Sequence, residues 1–161
     1  MNNSERYLYR GYGLVKFKSP QEALTPKTFG EFAYTNKYDG TWQYDGSADH
    51  GHSPRNAVLR HQLGQLGLST SGISTTPHKN RAAIYSRGKN QLYKQGMILV
   101  IDRKMQNAFG IKEYVVSDTV TNPSVPEDDE VILARTSGGV LPIEIVVAYE
   151  PVFKVLHEEK G

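Results

Sequence analysis

Short apolar runs of strand length, separated by clusters of Gly, Pro, Ser and Asp, dominate this chain. Tyr7 to Phe17 is rich in aromatic and β-branched residues and predicts a strand interrupted at Gly11 and Gly13. Pro20 to Ala33 predicts one or two short helices, broken by Pro26 and Gly30. Asn36 to Ser53, rich in Gly, Asp and Ser, predicts a loop. Ser53-Pro54 is a helix-start signal, a hydroxyl cap with proline in the first turn. Ala57, Val58, His61, Gln65 and Leu66 then recur at helical spacing until Gly67. Ile73 to Thr76 predicts a short strand, and Thr76-Pro77 repeats the cap-then-proline signal for a helix reaching about Ser86.

Farther on, Met97 to Ile101 is a continuous apolar run, as a buried strand requires. Glu113 to Ser117 predicts another strand. Thr119 to Asp129, with two prolines and three acids, predicts an exposed loop. Glu130 to Leu133 and Ile143 to Val155 predict strands separated by a turn at Gly138-Gly139, the second bent at Pro151. Strands outnumber helices and do not alternate with them. The expectation is an α+β domain built on antiparallel sheets rather than a doubly wound fold.

Length and composition keep this picture to a single domain spanning residues 1–161. Hydrophobic residues make up 38%, with ten Tyr and five Phe, enough for a core and too much for a disordered chain. No apolar run is long enough to span a membrane, and the first residues lack a secretory pattern. Cysteine is absent, which excludes a disulfide framework and thiolate metal sites. A cytoplasmic protein without a membrane partner is expected, acting in the producing cell or after delivery to another. The net charge is only +2, but it is unevenly spread. Residues 50–112 hold ten bases and one acid, Asp102, whereas residues 113–161 hold three bases and ten acids. A basic middle suits a phosphate or nucleic-acid surface; mutual cancellation on folding is the alternative.

Three segments carry candidate chemistry. In Tyr9-Arg10-Gly11, an Arg sits inside an apolar, aromatic strand. Pointing inward it needs an anion, and its fork of donors suits a diphosphate or a carboxylate; at a sheet edge it would simply face water. Gly11 would let a ligand approach the backbone. In Gly72-Ile73-Ser74-Thr75-Thr76-Pro77, three hydroxyls end a strand and open a helix, and capping alone explains only Thr76. Ser69-Thr70-Ser71 lies close by, but Ile73 and the helix signal favour Ser74. In Pro126 to Leu133 an acidic loop enters an apolar strand. Asp128 and Glu130, if both extended, face one side and can divide roles; a solvated acidic loop is the alternative. The five His are scattered, no metal is expected, and His50, His52 and His61 read as surface or cap residues. Walker-type and Rossmann glycine patterns are absent.

Taken in order, Arg10, Ser74-Thr75-Thr76 and Asp128-Asp129-Glu130 resemble the Arg–Ser–Glu branch of the ADP-ribosyltransferases, which includes the cholera-like and clostridial toxins. Ala82, Ala83 and Tyr85 after the hydroxyls, and Gly138-Gly139 before a final apolar strand, extend the similarity over most of the chain. Two positions depart from the pattern: Thr76 replaces a Ser, and Asp128 stands where relatives carry Glu or Gln. The resemblance implies a pair of packed, mainly antiparallel sheets with a few flanking helices and NAD in the cleft between them.

It further implies that Arg10 binds the NAD diphosphate and that Ser74 positions Glu130. Glu130 then stabilises the ribosyl cation as nicotinamide leaves, and Asp128 orients or deprotonates the acceptor. Gly11, Thr75, Thr76 and Tyr85 are expected at the NAD pocket. The implied activity is that of a mono-ADP-ribosyltransferase toxin modifying a protein side chain or an RNA or DNA base, restrained by an antitoxin or immunity protein. An NAD glycohydrolase and a non-enzymatic basic RNA-binding or interaction domain are the alternatives.

Overall fold

The computed structural model of the chain describes residues 6–27, 40–42, 48–50, 58, 61, 71–88, 93–120, 123, 125–136 and 138–153. In chain order these form β1 (Tyr7–Gly13), α1 (Pro20–Ala23), β2 (Gly40–Trp42), β3 (Ala48–His50), β4 (Ile73–Thr75), α2 (Lys79–Ser86), β5 (Gln95–Asp102), β6 (Ile111–Val115), β7 (Val131–Arg135) and β8 (Val146–Phe153), with single 3-10 turns between several of them. Two three-stranded sheets, β1-β5-β8 and β4-β7-β6, and a small hairpin β2-β3 account for the strands. Every pairing is antiparallel. The expected α+β class with two antiparallel sheets is therefore the one observed. Among the described residues, no helix is long and apolar enough to cross a membrane.

The two sheets meet where β1 touches the end of β4. Tyr9 N–H donates to the Thr76 carbonyl at 2.7 Å, and Thr76 N–H donates back to Tyr9 at 3.0 Å. Between the sheets lies the main core: Leu8, Tyr12, Leu99 and Ile101 from one sheet against Ile73, Val131, Leu133 and Ile111 from the other, sealed by Ala23, Leu24, Leu141 and Ile145. Alternation along β7 sends Ile132 and Ala134 to the opposite face, where they pack with Val58, Val116 and Val120. That double burial explains why Val131 to Ala134 is a continuous apolar run.

Several expectations need correction. Residues 36–53, read as a loop, contain the paired strands β2 and β3. β1 runs unbroken to Gly13 rather than being interrupted at Gly11. The glycines instead admit a helix. A Cβ on Gly11 would lie 1.9 Å from the Ala82 carbonyl oxygen, and one on Gly96 2.1 Å from that of Ser86. Helix α2 thus lies directly on β1 and β5. Residues 119–129 are not simply exposed: Val120 and Asp128 are buried, and Pro126–Asp128 forms a 3-10 turn. The strand expected from Ile143 begins at Val146, after a 3-10 turn that drives Ile145 into the core. Its register irregularity lies opposite Val100 and Ile101, not at Pro151, which sits on the sheet's edge strand. The helix expected from Ser53-Pro54 lies outside the described residues except for Val58 and His61, both helical; residues 28–33 also lie outside them.

Replacing Gly96 with Ala pushes a methyl group into the Ser86 carbonyl. Urea denaturation should show a loss of about 1–3 kcal/mol, and an unchanged midpoint would contradict the contact between α2 and β5.

Candidate active site

At the seam of the two sheets a cleft of about 830 Å³ opens, within the size range of small-molecule sites. Its walls come from β1 and the turn after it, β4, α2 and the approach to β7. All eight residues proposed from the sequence line it: Arg10, Gly11, Ser74, Thr75, Thr76, Tyr85, Asp128 and Glu130.

Arg10 projects from β1 on the same face as Leu8 and Tyr12. Its Nε donates to the Ala23 carbonyl at 2.5 Å and its Nη1 to the Ser74 carbonyl at 2.9 Å. One guanidinium thereby ties α1, β1 and β4 together. Desolvation lowers its pKa to about 10, opposed by the charge of Glu130. It remains a cation at neutral pH.

The three hydroxyls of residues 74–76 have different tasks. Ser74 Oγ donates to Glu130 Oε2 at 2.6 Å. Thr75 donates to the Val131 carbonyl at 2.7 Å, fastening β4 to β7 through a side chain as well as the ladder. Thr76 donates to the Asp128 carbonyl at 2.5 Å and accepts from His78 N–H at 3.1 Å. The cap expected at Thr76 is not formed: the helix starts at Lys79 with His78 at its N-cap and no side-chain cap bond, and Thr76 instead closes a local turn onto His78 N–H. Thr75 and Thr76 are both buried and act on the backbone around the cleft.

The acidic segment departs from the expected extended pair. Asp129 adopts a left-handed conformation, φ 47°, unusual for a residue with a side chain. Its carboxylate lies 2.6 Å from His78 Nε2. The backbone reversal sends its neighbours to different partners. Asp128 Oδ1 accepts from Arg81 Nε at 2.7 Å, and Oδ2 accepts from the Tyr85 hydroxyl. Partial burial, followed by the Asp128 contact, pushes the Tyr85 phenol up to about 12, so it stays a proton donor. Glu130 turns instead to Ser74. The two carboxylates share a cleft but do not face one side of a strand.

Gly11 also needs correction: helix α2 occupies the space its missing side chain leaves, so its smallness serves packing rather than ligand approach. Tyr85 remains 46% exposed, its ring available while its hydroxyl is engaged.

His61, read from the sequence as a surface or cap residue, lies within the site. Its Nε2 is 2.6 Å from Ser74 Oγ and 3.4 Å from Glu130 Oε2. With the Ser74 hydroxyl donating to Glu130, the Ser74 oxygen is left to accept from His61. The signal was the helical spacing itself: His61 follows buried Val58 by three residues, on the same inward face. Lys16, Phe17 and Tyr93 also line the cleft and were not singled out by any motif. Among the described residues, no group of three or more His, Asp or Glu side chains is placed to hold a metal ion.

Two small antiparallel sheets thus meet over the cleft. The model of the NarE family, an ADP-ribosyltransferase-like family, matches residues 7–133, and the chain belongs to that family. No curated protein sequence matches the chain significantly. Among solved structures, a heat-labile enterotoxin double mutant is similar, with 16% sequence identity and a TM-score of 0.44. The match covers 91% of this chain and 56% of that one, so the chain spans little more than half of the enterotoxin chain's length.

Asp128→Ala removes the acceptor for both Arg81 and Tyr85. Thermal or urea unfolding should register a loss of about 1–2 kcal/mol. A variant as stable as the parent would mean that the Arg81 and Tyr85 contacts do not hold this segment in place.

Proposed function

We propose that the chain is an NAD-dependent mono-ADP-ribosyltransferase, which breaks the nicotinamide–ribose bond and passes ADP-ribose to a macromolecular acceptor. The observation that carries this reading is the Ser74–Glu130 hydrogen bond at 2.6 Å on the wall of the cleft. A carboxylate held in one orientation can accept from the ribose 2′-hydroxyl and stabilise the positive charge that develops at C1′. His61, bonded to the same Ser74 oxygen, helps fix that geometry. Arg10 contributes positive charge toward the NAD diphosphate. Thr75 and Thr76 hold the strand end, Gly11 lets α2 form the wall, and the half-exposed Tyr85 ring stacks on nicotinamide. Asp128, with both oxygens occupied, orients the acceptor through Arg81 and Tyr85.

The acceptor is a protein side chain or a nucleic-acid base, and the basic stretch of residues 50–112 supports a phosphate-rich one. The class of activity suits a toxin acting in the cytoplasm, with an antitoxin or immunity protein as partner. One observation favours a second reading, an NAD glycohydrolase. The occupied Asp128 leaves the acceptor without an evident base, and water would then take the ribosyl group. A basic domain that binds RNA and leaves NAD intact is the remaining alternative.

Incubation with labelled NAD and cell lysate, followed by separate nuclease and protease digestion, distinguishes these outcomes. Label on a macromolecule supports transfer, free ADP-ribose alone supports hydrolysis, and no nicotinamide release sinks both. Glu130→Gln should lower kcat for nicotinamide release by about 10²–10³-fold while NAD still binds. Near-native turnover in that variant would remove Glu130 from its role.

A further inference from the structure

The cleft wall carries charges of both signs. Asp128, Glu130, Arg10 and Lys16 all line it, and Arg10 feels the charge of Glu130. Two of the three nitrogens of Arg10 are already committed to backbone carbonyls, which leaves Nη2 for any ligand. Lys16 differs on every count. It is exposed, it lies on the turn that follows β1, and no acid among the described residues pairs with it. Its ammonium sits 5.4 Å from the centroid of the Phe17 ring, a cation–π contact that holds the charge at the cleft wall.

Lys16 lies beyond the end of the strand that carries Arg10. β1 continues from Arg10 to Gly13, about 10 Å of extended chain, before the turn that carries Lys16. Close to that turn the Tyr93 ring packs against Gly13 and Gly88; a Cβ on either would lie within 2.7 Å of a Tyr93 ring atom. Phe17 and Tyr93 give this part of the cleft apolar walls, where an ammonium–phosphate contact is stronger than in open water.

Resting on the NAD reading above, we infer that Lys16 is a second diphosphate-binding residue of the cleft, beside Arg10. NAD then lies in one orientation. Its nicotinamide ribose faces Ser74 and Glu130, and its diphosphate, which hangs from C5′ on the far side of that ribose, meets Lys16. The adenosine continues along Phe17 and Tyr93. Lys16 thereby selects dinucleotides over smaller nicotinamide glycosides, adding its charge to that of Arg10, whose Nε and Nη1 also tie strand to helix.

Calorimetric titration with ADP-ribose, which retains the diphosphate and lacks nicotinamide, tests this without requiring turnover. Lys16→Glu should weaken ADP-ribose binding by about tenfold or more, and Lys16→Arg should restore most of it. In parallel, Lys16→Glu should raise KM for NAD with little change in kcat, and leave cleavage of nicotinamide riboside, which has no phosphate, unaltered. Unfolding midpoints of both variants should match the parent, since the side chain is exposed. Undiminished ADP-ribose affinity in Lys16→Glu, or no affinity in the parent, overturns the assignment. Parent protein that binds ADP-ribose through Lys16 yet releases no nicotinamide refutes the proposed reaction and leaves the diphosphate site standing. Release of nicotinamide with Lys16→Glu indistinguishable from the parent does the reverse.

Discussion

A guanidinium between two sheets must find acceptors or cost several kcal/mol. Arg10 finds them in the backbone of Ala23 and Ser74 rather than in a carboxylate. Since those carbonyls belong to α1 and β4, the requirement to satisfy one cation fixes how three elements meet. The reciprocal bonds between Tyr9 and Thr76 secure the same junction from the main chain. Ser74 is positioned by this junction, and through Ser74 so is Glu130. The orientation of the site's central carboxylate therefore follows from a packing constraint one strand away.

A second constraint divides the acids. Asp129 in the left-handed region reverses the chain between Asp128 and Glu130. Its tie to His78, and the tie of Thr76 to the Asp128 carbonyl, brace that reversal from both sides. One carboxylate is anchored to helix α2 and the other is delivered to β4. Separate anchoring lets the neighbouring acids keep different environments, as a division of roles between two carboxyl groups requires.

Much of this was legible in the sequence. The strands from Tyr7, Met97 and Val131 announce themselves through apolar runs, and the ordered Arg10, Ser74 and Glu130 pointed to the residues that converge on the cleft. What escaped has identifiable causes. The β2-β3 hairpin is three residues a side, too short for its periodicity to rise above its Gly and Asp content. Asp128 looked solvated because composition cannot show that Arg81 and Tyr85, one helical turn apart, converge on it from another element. His61 lacked a motif, and only its spacing from Val58 revealed its inward direction. Gly11 and Gly13 resembled strand breakers because a sequence does not reveal that the α2 backbone will press against one and the Tyr93 ring against the other.

The glycine ledge beneath α2 has a bearing on how this protein would respond to random change. Arg81 and Tyr85 ride on that helix, and a methyl group added at Gly11 or Gly96 would displace the helix and everything it carries. A mutational screen would then score these glycines alongside true reactive groups, although they have no side chain to contribute. Separating the two kinds of hit needs a measurement of the helix's seating as well as of turnover. Otherwise the foundation of the cleft wall would be mistaken for part of its chemistry.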